Sequence, residues 1–278
     1  MMDLYNHTCL ECSKLITNRY STSFSLGIRI FDKKYRAPIY AIYGFVRFAD
    51  EIVDTFHDFP KDKLLKQFRQ DTYQAIEDKI SLNPVLQAFQ ETVRRYNIEM
   101  ELIDAFLDSM EMDLHFNTYE DSLYKQYIYG SAEVVGLMCL RIFVDGNEEE
   151  YQRLKNSARS LGSAFQKINF LRDMASDFDD RGRVYFPGVD FRTFTNQDKT
   201  AIEQDIKKDF DDGLAGIVDL PKGVRLGVYL AYVYYIKLFK KIKSAPASQV
   251  KTERIRVNDR RKIMLLFSSA VRNSLNLL

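Results

Sequence analysis

Two sets of acidic side chains in this sequence have the types and spacing to do chemistry. Asp50 and Asp54 stand four residues apart in RFADEIVD, and Asn169, Asp173 and Asp177 are spaced four and four in QKINFLRDMASD. A helix returns to the same face every 3.6 residues or so, and each set therefore forms a stripe along one side of its helix. Stacked carboxylates repel by roughly a few tenths of a kcal/mol per pair when exposed, and by much more when buried. Two such stripes in one apolar chain point to a shared cation. Oxygen donors without His or Cys suit Mg²⁺, or Mn²⁺, better than zinc. Mg²⁺ commonly completes its shell with water and substrate phosphates, so the spacing points to a helical enzyme that holds a diphosphate between two acidic helices.

The elements that carry these stripes are helical. Gly (12) and Pro (6) are scarce and periodic apolar segments follow one another, so the chain reads as all-α, one domain over residues 1–278. Lys33 to His57 forms the first long helix, with Pro38 near its start. Tyr43, Arg47, Asp50 and Asp54 share one face of it, while Ala41, Ile42, Phe45, Val46, Phe48, Ala49, Ile52 and Val53 make the remainder apolar. A helix of that kind is buried, so its polar stripe should line an internal cavity. Glu148 to Phe178 forms the second, with Gln166 beginning its stripe.

Around these, residues 4–18, 61–81, 83–96, 98–116, 197–219 and 222–243 read as further helices, and 244–250 as a loop. A last helix ends at Leu278 after the basic segment Arg254 to Lys262. In Tyr20 to Phe24, Ser21 and Ser23 are candidate caps or phosphate contacts. Tyr119 to Asp145 holds the small residues Gly130, Ser131, Ala132 and Gly136, and Gly costs about 1 kcal/mol against Ala in a helix. Close helix packing and room for a bulky ligand or a kink are equal accounts of them. Asp108, Glu111 and Asp113 read as a solvated acidic face, and His115 as a surface or satisfied core histidine. Arg181 and Arg183, in a loop rich in turn residues, are either solvated or within reach of phosphate.

Composition narrows the class. The 278 residues carry a net charge of +1, which gives no general pull toward nucleic acid. Three Cys make no disulfide framework, and Cys9 and Cys12 near His7 lack the second half of a zinc site. No signal peptide is apparent, and the longest apolar run, Leu226 to Ile236, is too short to span a bilayer. The expected location is cytoplasmic, or peripheral at a membrane.

The motifs in order resemble those of the squalene/phytoene synthase family of head-to-head prenyltransferases, over essentially the whole chain. The family's D-x-x-x-D stands as Asp50 to Asp54, and its N-I-L-R-D-x-x-x-D as Asn169-Phe-Leu-Arg-Asp173-Met-Ala-Ser-Asp177. Between them Y-x-Y/H-x-x-A-x-x-V-G stands as Tyr127 to Gly136, and R-x-Y-F/L-P follows as Arg183 to Pro187. Tyr20 stands where many members have His, Glu133 where a small residue is common, and Ala175-Ser176 where Gly-Glu is common.

The resemblance implies an isoprenoid-synthase bundle of about ten or more helices around a central cavity. It implies that Asp50, Asp54, Asn169, Asp173 and Asp177 hold Mg²⁺ bridging prenyl diphosphates, with Gln166 beside them. Ser21, Ser23, Arg47, Tyr235, Arg254 and Lys262 would contact substrate, joined by Arg183 if that loop arginine swings toward phosphate, and Tyr43 and Tyr129, with Arg47, would form the catalytic region where allylic cations develop. The implied reaction joins two geranylgeranyl diphosphates to phytoene through a cyclopropyl diphosphate. Squalene or dehydrosqualene formation from farnesyl diphosphate is the nearest alternative. Head-to-tail elongation, terpene cyclisation and a non-catalytic assembly factor of the same fold are more distant ones.

Overall fold

A computed structural model describes residues 2–116 and 118–256, apart from the side chains of Thr22, Ser23 and Arg181. The chain runs as α1 (Met2–Tyr20), α2 (Thr22–Ile30), α3 (Lys33–Asp54), α4 (Lys61–Asp78), α5 (Pro84–Tyr96) and α6 (Met100–His115). It continues as α7 (Asp121–Ile128), a π-helical turn (Tyr129–Glu133), α8 (Val134–Phe143), α9 (Glu148–Arg181), α10 (Asn196–Ile217), α11 (Lys222–Ser244) and α12 (Ala247–Val250). Among the described residues the only strand-like pairing is a single parallel bridge between Thr118 and Val184. The all-α expectation therefore stands.

The helix ends follow from local chemistry. Asn83 caps α5 by accepting from the backbone N–H groups of Val85 and Leu86, with Pro84 at the first helical position. Asn147 caps α9 above three glutamates whose charge suits the positive end of the helix dipole. Thr195 and Asp198 close a reciprocal capping box on α10. At the far end of α9, Gly182 takes φ 65°, a left-handed cap that turns the chain back along the bundle.

Two cores flank the molecule's centre. One joins α3, α4, α5, α6 and α8 around Phe45, which is fully buried and stacks on Phe89 at a centroid distance of 3.8 Å. The other joins α7, α9, α10, α11 and α12 around Ile168, Leu171, Phe210 and Leu238. Helix α3 packs on α1, α5, α6 and α8, and α9 packs on α8, α10 and α11, which sets the two acidic helices in the middle.

Several boundaries differ from the sequence reading. Residues 22–30 form a helix of their own, and 247–250 coil into a short one where a loop was expected. The stretch 119–145 is α7 and α8 joined by the π turn. Both accounts of its small residues hold. A Cβ on Gly130 would lie 2.3 Å from the Ala105 carbonyl oxygen, and one on Gly162 would lie 2.8 Å from that of Ala132, so the backbones touch there. The same stretch is bent by its π turn, and Ser131, Ala132 and Gly136 face the cavity described next. The expected last helix and the segment after Arg256 lie outside the described residues.

Candidate active site

A cavity of about 730 Å³ lies between the two cores. Much of its lining is apolar, with side chains such as Ile28, Val135, Leu140, Leu161 and Leu220. Its polar wall gathers Ser21, Tyr43, Arg47, Gln166, Asn169, Arg172, Tyr235 and Arg254. Seven of these eight were expected from the sequence, and Arg172 was not.

Helix α3 sends Tyr43 and Arg47 into this wall. Tyr43 stacks on Phe24 of α2 at 4.9 Å. Burial pushes its phenol pKa up, Asp50 and Tyr235 push in the same direction, and Arg47 and Ser21 oppose them. Arg47 lies over the ring of Tyr20 at 4.4 Å, is bonded to Glu51, and stands 3.9 Å from Asp50. Its Nε is buried and makes no hydrogen bond within the protein. Ser21 is committed to capping α2, accepting from the Phe24 N–H at 3.2 Å. The Ser23 side chain and Lys262 lie outside what the structure describes.

Helix α9 supplies the opposite side. Tyr235 of α11 stacks on Phe165 at 4.0 Å and donates to the Asn169 amide oxygen at 3.2 Å. Burial raises the Tyr235 pKa, and Arg172 and Asn169 pull it down. Asp173 receives two guanidinium groups, Arg172 through Nε at 2.9 Å and Arg254 through Nε at 2.7 Å. Arg254 comes from the extended residues after α12 and thus brings the chain's far segment to the cavity mouth.

The acidic stripes approach one another at a buried cluster next to the cavity. Arg183 Nη1 stands 3.6 Å from Asp54 of α3 and 3.3 Å from Asp113 of α6, and its Nη2 donates to the Asp113 carbonyl oxygen at 2.5 Å. Its backbone N–H donates to the Asp177 carbonyl oxygen at 2.9 Å. Asp113 accepts from Tyr127 Oη at 2.7 Å and Tyr119 Oη at 3.4 Å. Burial pushes the Asp113 carboxyl up to about 6, against the pull of Arg183 and Tyr127.

The structure changes three sequence readings. Asp113 is buried, whereas Asp108 and Glu111 do form a solvated pair of partners for Arg69. Arg183 is only 7% exposed and is tied inside the protein, away from the cavity wall. Tyr129 also lies off the cavity: it opens the π turn, packs against the first core and has the Arg159 guanidinium 5.3 Å over its ring. Glu133 is held by Arg159 at 2.6 Å, which keeps its carboxylate out of the cavity wall.

The donor set fits a hard divalent cation. It consists of carboxylate and amide oxygens on two facing helices, already drawn toward positive charge by Arg47, Arg172, Arg183 and Arg254. Among the described residues no three Asp, Glu, His or Cys side chains are gathered as a ready metal cluster. A cation at these carboxylates would leave the guanidinium groups of Arg47, Arg172 and Arg254 available for phosphate oxygens.

The family of squalene/phytoene synthases matches residues 17–261 of this sequence. The chain belongs to that family. It is 27% identical over 192 residues to the 4,4′-diapophytoene synthase of Staphylococcus haemolyticus (strain JCSC1435), covering 68% of this chain and 66% of that protein. It is 27% identical over 270 residues to the chloroplastic phytoene synthase 1 of Solanum lycopersicum, covering 89% of this chain and 64% of that one. The matched region thus spans slightly under two thirds of these relatives' own length. The fold superposes on a dehydrosqualene synthase solved in complex with a ligand, with a TM-score of 0.82, 20% identity, and coverage of 96% of both chains. In this squalene/phytoene synthase fold the motif residues Asp50, Asp54, Asn169, Asp173 and Asp177 fall on α3 and α9. Among the described residues, no helix is long and apolar enough to cross a membrane.

Proposed function

We propose that this chain is a prenyltransferase that joins two prenyl diphosphates head to head, with geranylgeranyl diphosphate as substrate and phytoene as product. The observation that supports this most is the make-up of the cavity: a largely apolar lining that also carries Arg47, Arg172, Arg254, Asn169 and Tyr235. An amphiphile with a long hydrocarbon tail and a diphosphate head matches that layout.

Arg47, Arg172 and Arg254 bind diphosphate oxygens, for which their planar, multi-donor groups are suited. Asp50, Asp54, Asn169, Asp173 and Asp177, with Gln166 beside them, hold Mg²⁺. The metal supplies charge neutralisation of the leaving diphosphate. Phe24, Tyr43, Phe165 and Tyr235 line the region next to the diphosphate end, where they exclude water and offer aromatic faces to an allylic cation. The second chain's double bond attacks that cation, and loss of a proton to the released diphosphate closes the ring of the cyclopropyl diphosphate; departure of its own diphosphate, rearrangement and loss of a second proton, again to released diphosphate, give the 1-1′ joined product. No titrating side chain has to act as nucleophile in this scheme; positioning and charge carry it.

A second reading keeps the mechanism and shortens the substrate to farnesyl diphosphate. The relatives favour it as much as the first, since one makes diapophytoene by name and one phytoene. Incubating the protein with Mg²⁺ and either diphosphate, then analysing the hexane extract by mass spectrometry, separates the two. A C40 hydrocarbon is the expected result; a C30 product selects the shorter substrate, and comparison with and without NADPH then separates squalene from dehydrosqualene. Asp173→Ala should lower turnover by a factor of about a hundred or more while leaving the helical signal intact. Near-normal turnover by that variant would remove the metal assignment.

A further inference from the structure

Arg183 and Asp113 sit outside the cavity wall, yet they touch both helices that carry the acidic stripes. A buried charge is tolerated only when paired and hydrogen-bonded, and breaking such a pair is costly. Asp113 is 8% exposed, and two tyrosine hydroxyls and one guanidinium meet its carboxylate. Around it the rings of Tyr119, Tyr127, Phe170 and Tyr185 stack on one another, with Phe170 and Tyr185 4.0 Å apart and 8° from parallel. Gly182 turns the chain at the end of α9, the bridge between Thr118 and Val184 holds the two loops side by side, and Arg183 is thereby carried back under α6. From that anchored position its Nη1 reaches Asp54, and its own N–H holds the Asp177 carbonyl.

We propose that Arg183, anchored by the buried Asp113 carboxylate, is a positioning residue that fixes Asp54 of α3 against the Asp177 end of α9 and so sets the spacing at which the two acidic stripes share a divalent cation. The proposal rests on the reading of the site given above. It assigns to Arg183 a role toward the metal ligands and not toward substrate phosphate. A lysine could not replace it, because a single ammonium cannot reach Asp54, the Asp113 carboxylate and the Asp113 carbonyl from one stem.

The test is the affinity for Mn²⁺ in the presence of inorganic diphosphate, read by electron paramagnetic resonance of the free ion, on the full chain. Partners that orient metal ligands without touching the metal typically contribute about 10–100-fold to its affinity. Asp113→Asn and Arg183→Lys should each weaken Mn²⁺ binding by about tenfold or more, while Arg69→Gln, at the exposed Asp108 and Glu111 pair, leaves it unchanged. A purely structural role would lower the melting temperature in EDTA and leave the affinity of the folded protein alone, and that result would overturn the proposal. Should Asp113→Asn fail to fold, Tyr127→Phe, which removes one hydroxyl and keeps the ring stack, must weaken Mn²⁺ binding in the same direction; wild-type affinity there overturns the proposal equally. If the unaltered protein itself binds no Mn²⁺ with diphosphate, it is the functional reading that fails.

Discussion

Asp173 shows how a residue can be legible while its neighbourhood is not. Its i,i+4 spacing from Asn169 and Asp177 placed it on a stripe, and the structure keeps it there, with Arg172 and Arg254 on its carboxylate. Arg172 is adjacent in sequence and so does not share the stripe's face by spacing; only the fold shows that its long side chain folds back to the same wall. Asp113 was legible in principle. Asp108 and Glu111 are three apart and share a helix face, but Asp113 lies about 140° round the wheel from the nearer-facing Asp108. Phe106, Ser109 and Met110, seven, four and three residues before it, share its face and are buried, and the apolar pair among them was the signal that it points inward. The thiols offer a check at this scale. Cys9 is buried, and burial pushes the Cys139 thiol, which lines the cavity, up to about 12. At pH 8 the thiolate fraction of Cys139 is then on the order of one in ten thousand, and the thiolate is the reactive form. A thiol-disulfide reagent at pH 8 should label Cys12 alone in the native protein and all three cysteines once it is unfolded. Rapid labelling of a second native thiol would contradict either the burial of Cys9 or the raised pKa of Cys139.

At the scale of elements, long periodic segments were readable and short ones were not. Helices α3, α5, α10 and α11 have ends within about three residues of those expected, because each is a long periodic segment, and in α5 and α10 a side-chain cap marks the start as well. Helix α2 has nine residues, too few for two full repeats of a stripe, so only its Ser21 cap was visible. The break between α7 and α8 was hidden because a π turn keeps the helical composition while changing the hydrogen-bond register. Gly130 is the residue this junction depends on. Replacing it with Ala gains about 1 kcal/mol of helix propensity. The new methyl would stand 2.3 Å from the Ala105 carbonyl oxygen, a backbone atom that cannot swing aside. Overpacking outweighs propensity here, and Gly130→Ala should destabilise the protein by about 1–3 kcal/mol, measured by urea unfolding. An unchanged midpoint would mean that α6 and the π turn can separate freely.

For the whole molecule, the sequence carried the class of fold well and the cavity poorly. Scarce Gly and Pro and a near-continuous helical period are enough for an all-α bundle. The cavity depends on side chains from α1, α2, α3, the π turn, α8, α9, α10 and α11 together, and no local period encodes how far apart those helices stand. What holds α3 at its distance is the first core, where Phe45 touches Phe68, Phe89 and Phe106 from three other helices. Phe45→Ala should cost about 3–5 kcal/mol in chemical denaturation, since that site is fully buried and rigidly walled. A loss below about 1 kcal/mol would show that the rings around it collapse inward. The π turn has a last consequence, in terms of descent. Five residues wound at that wider register are an α-helix with one residue in excess, so Tyr129 to Glu133 can be read as an insertion that the chain absorbed without opening a loop. Each residue in an α-helix turns by about 100°. A relative without the surplus residue can therefore share every helix of this fold and still present a different side chain to Asp113, so the two would be homologous in architecture and out of step in register.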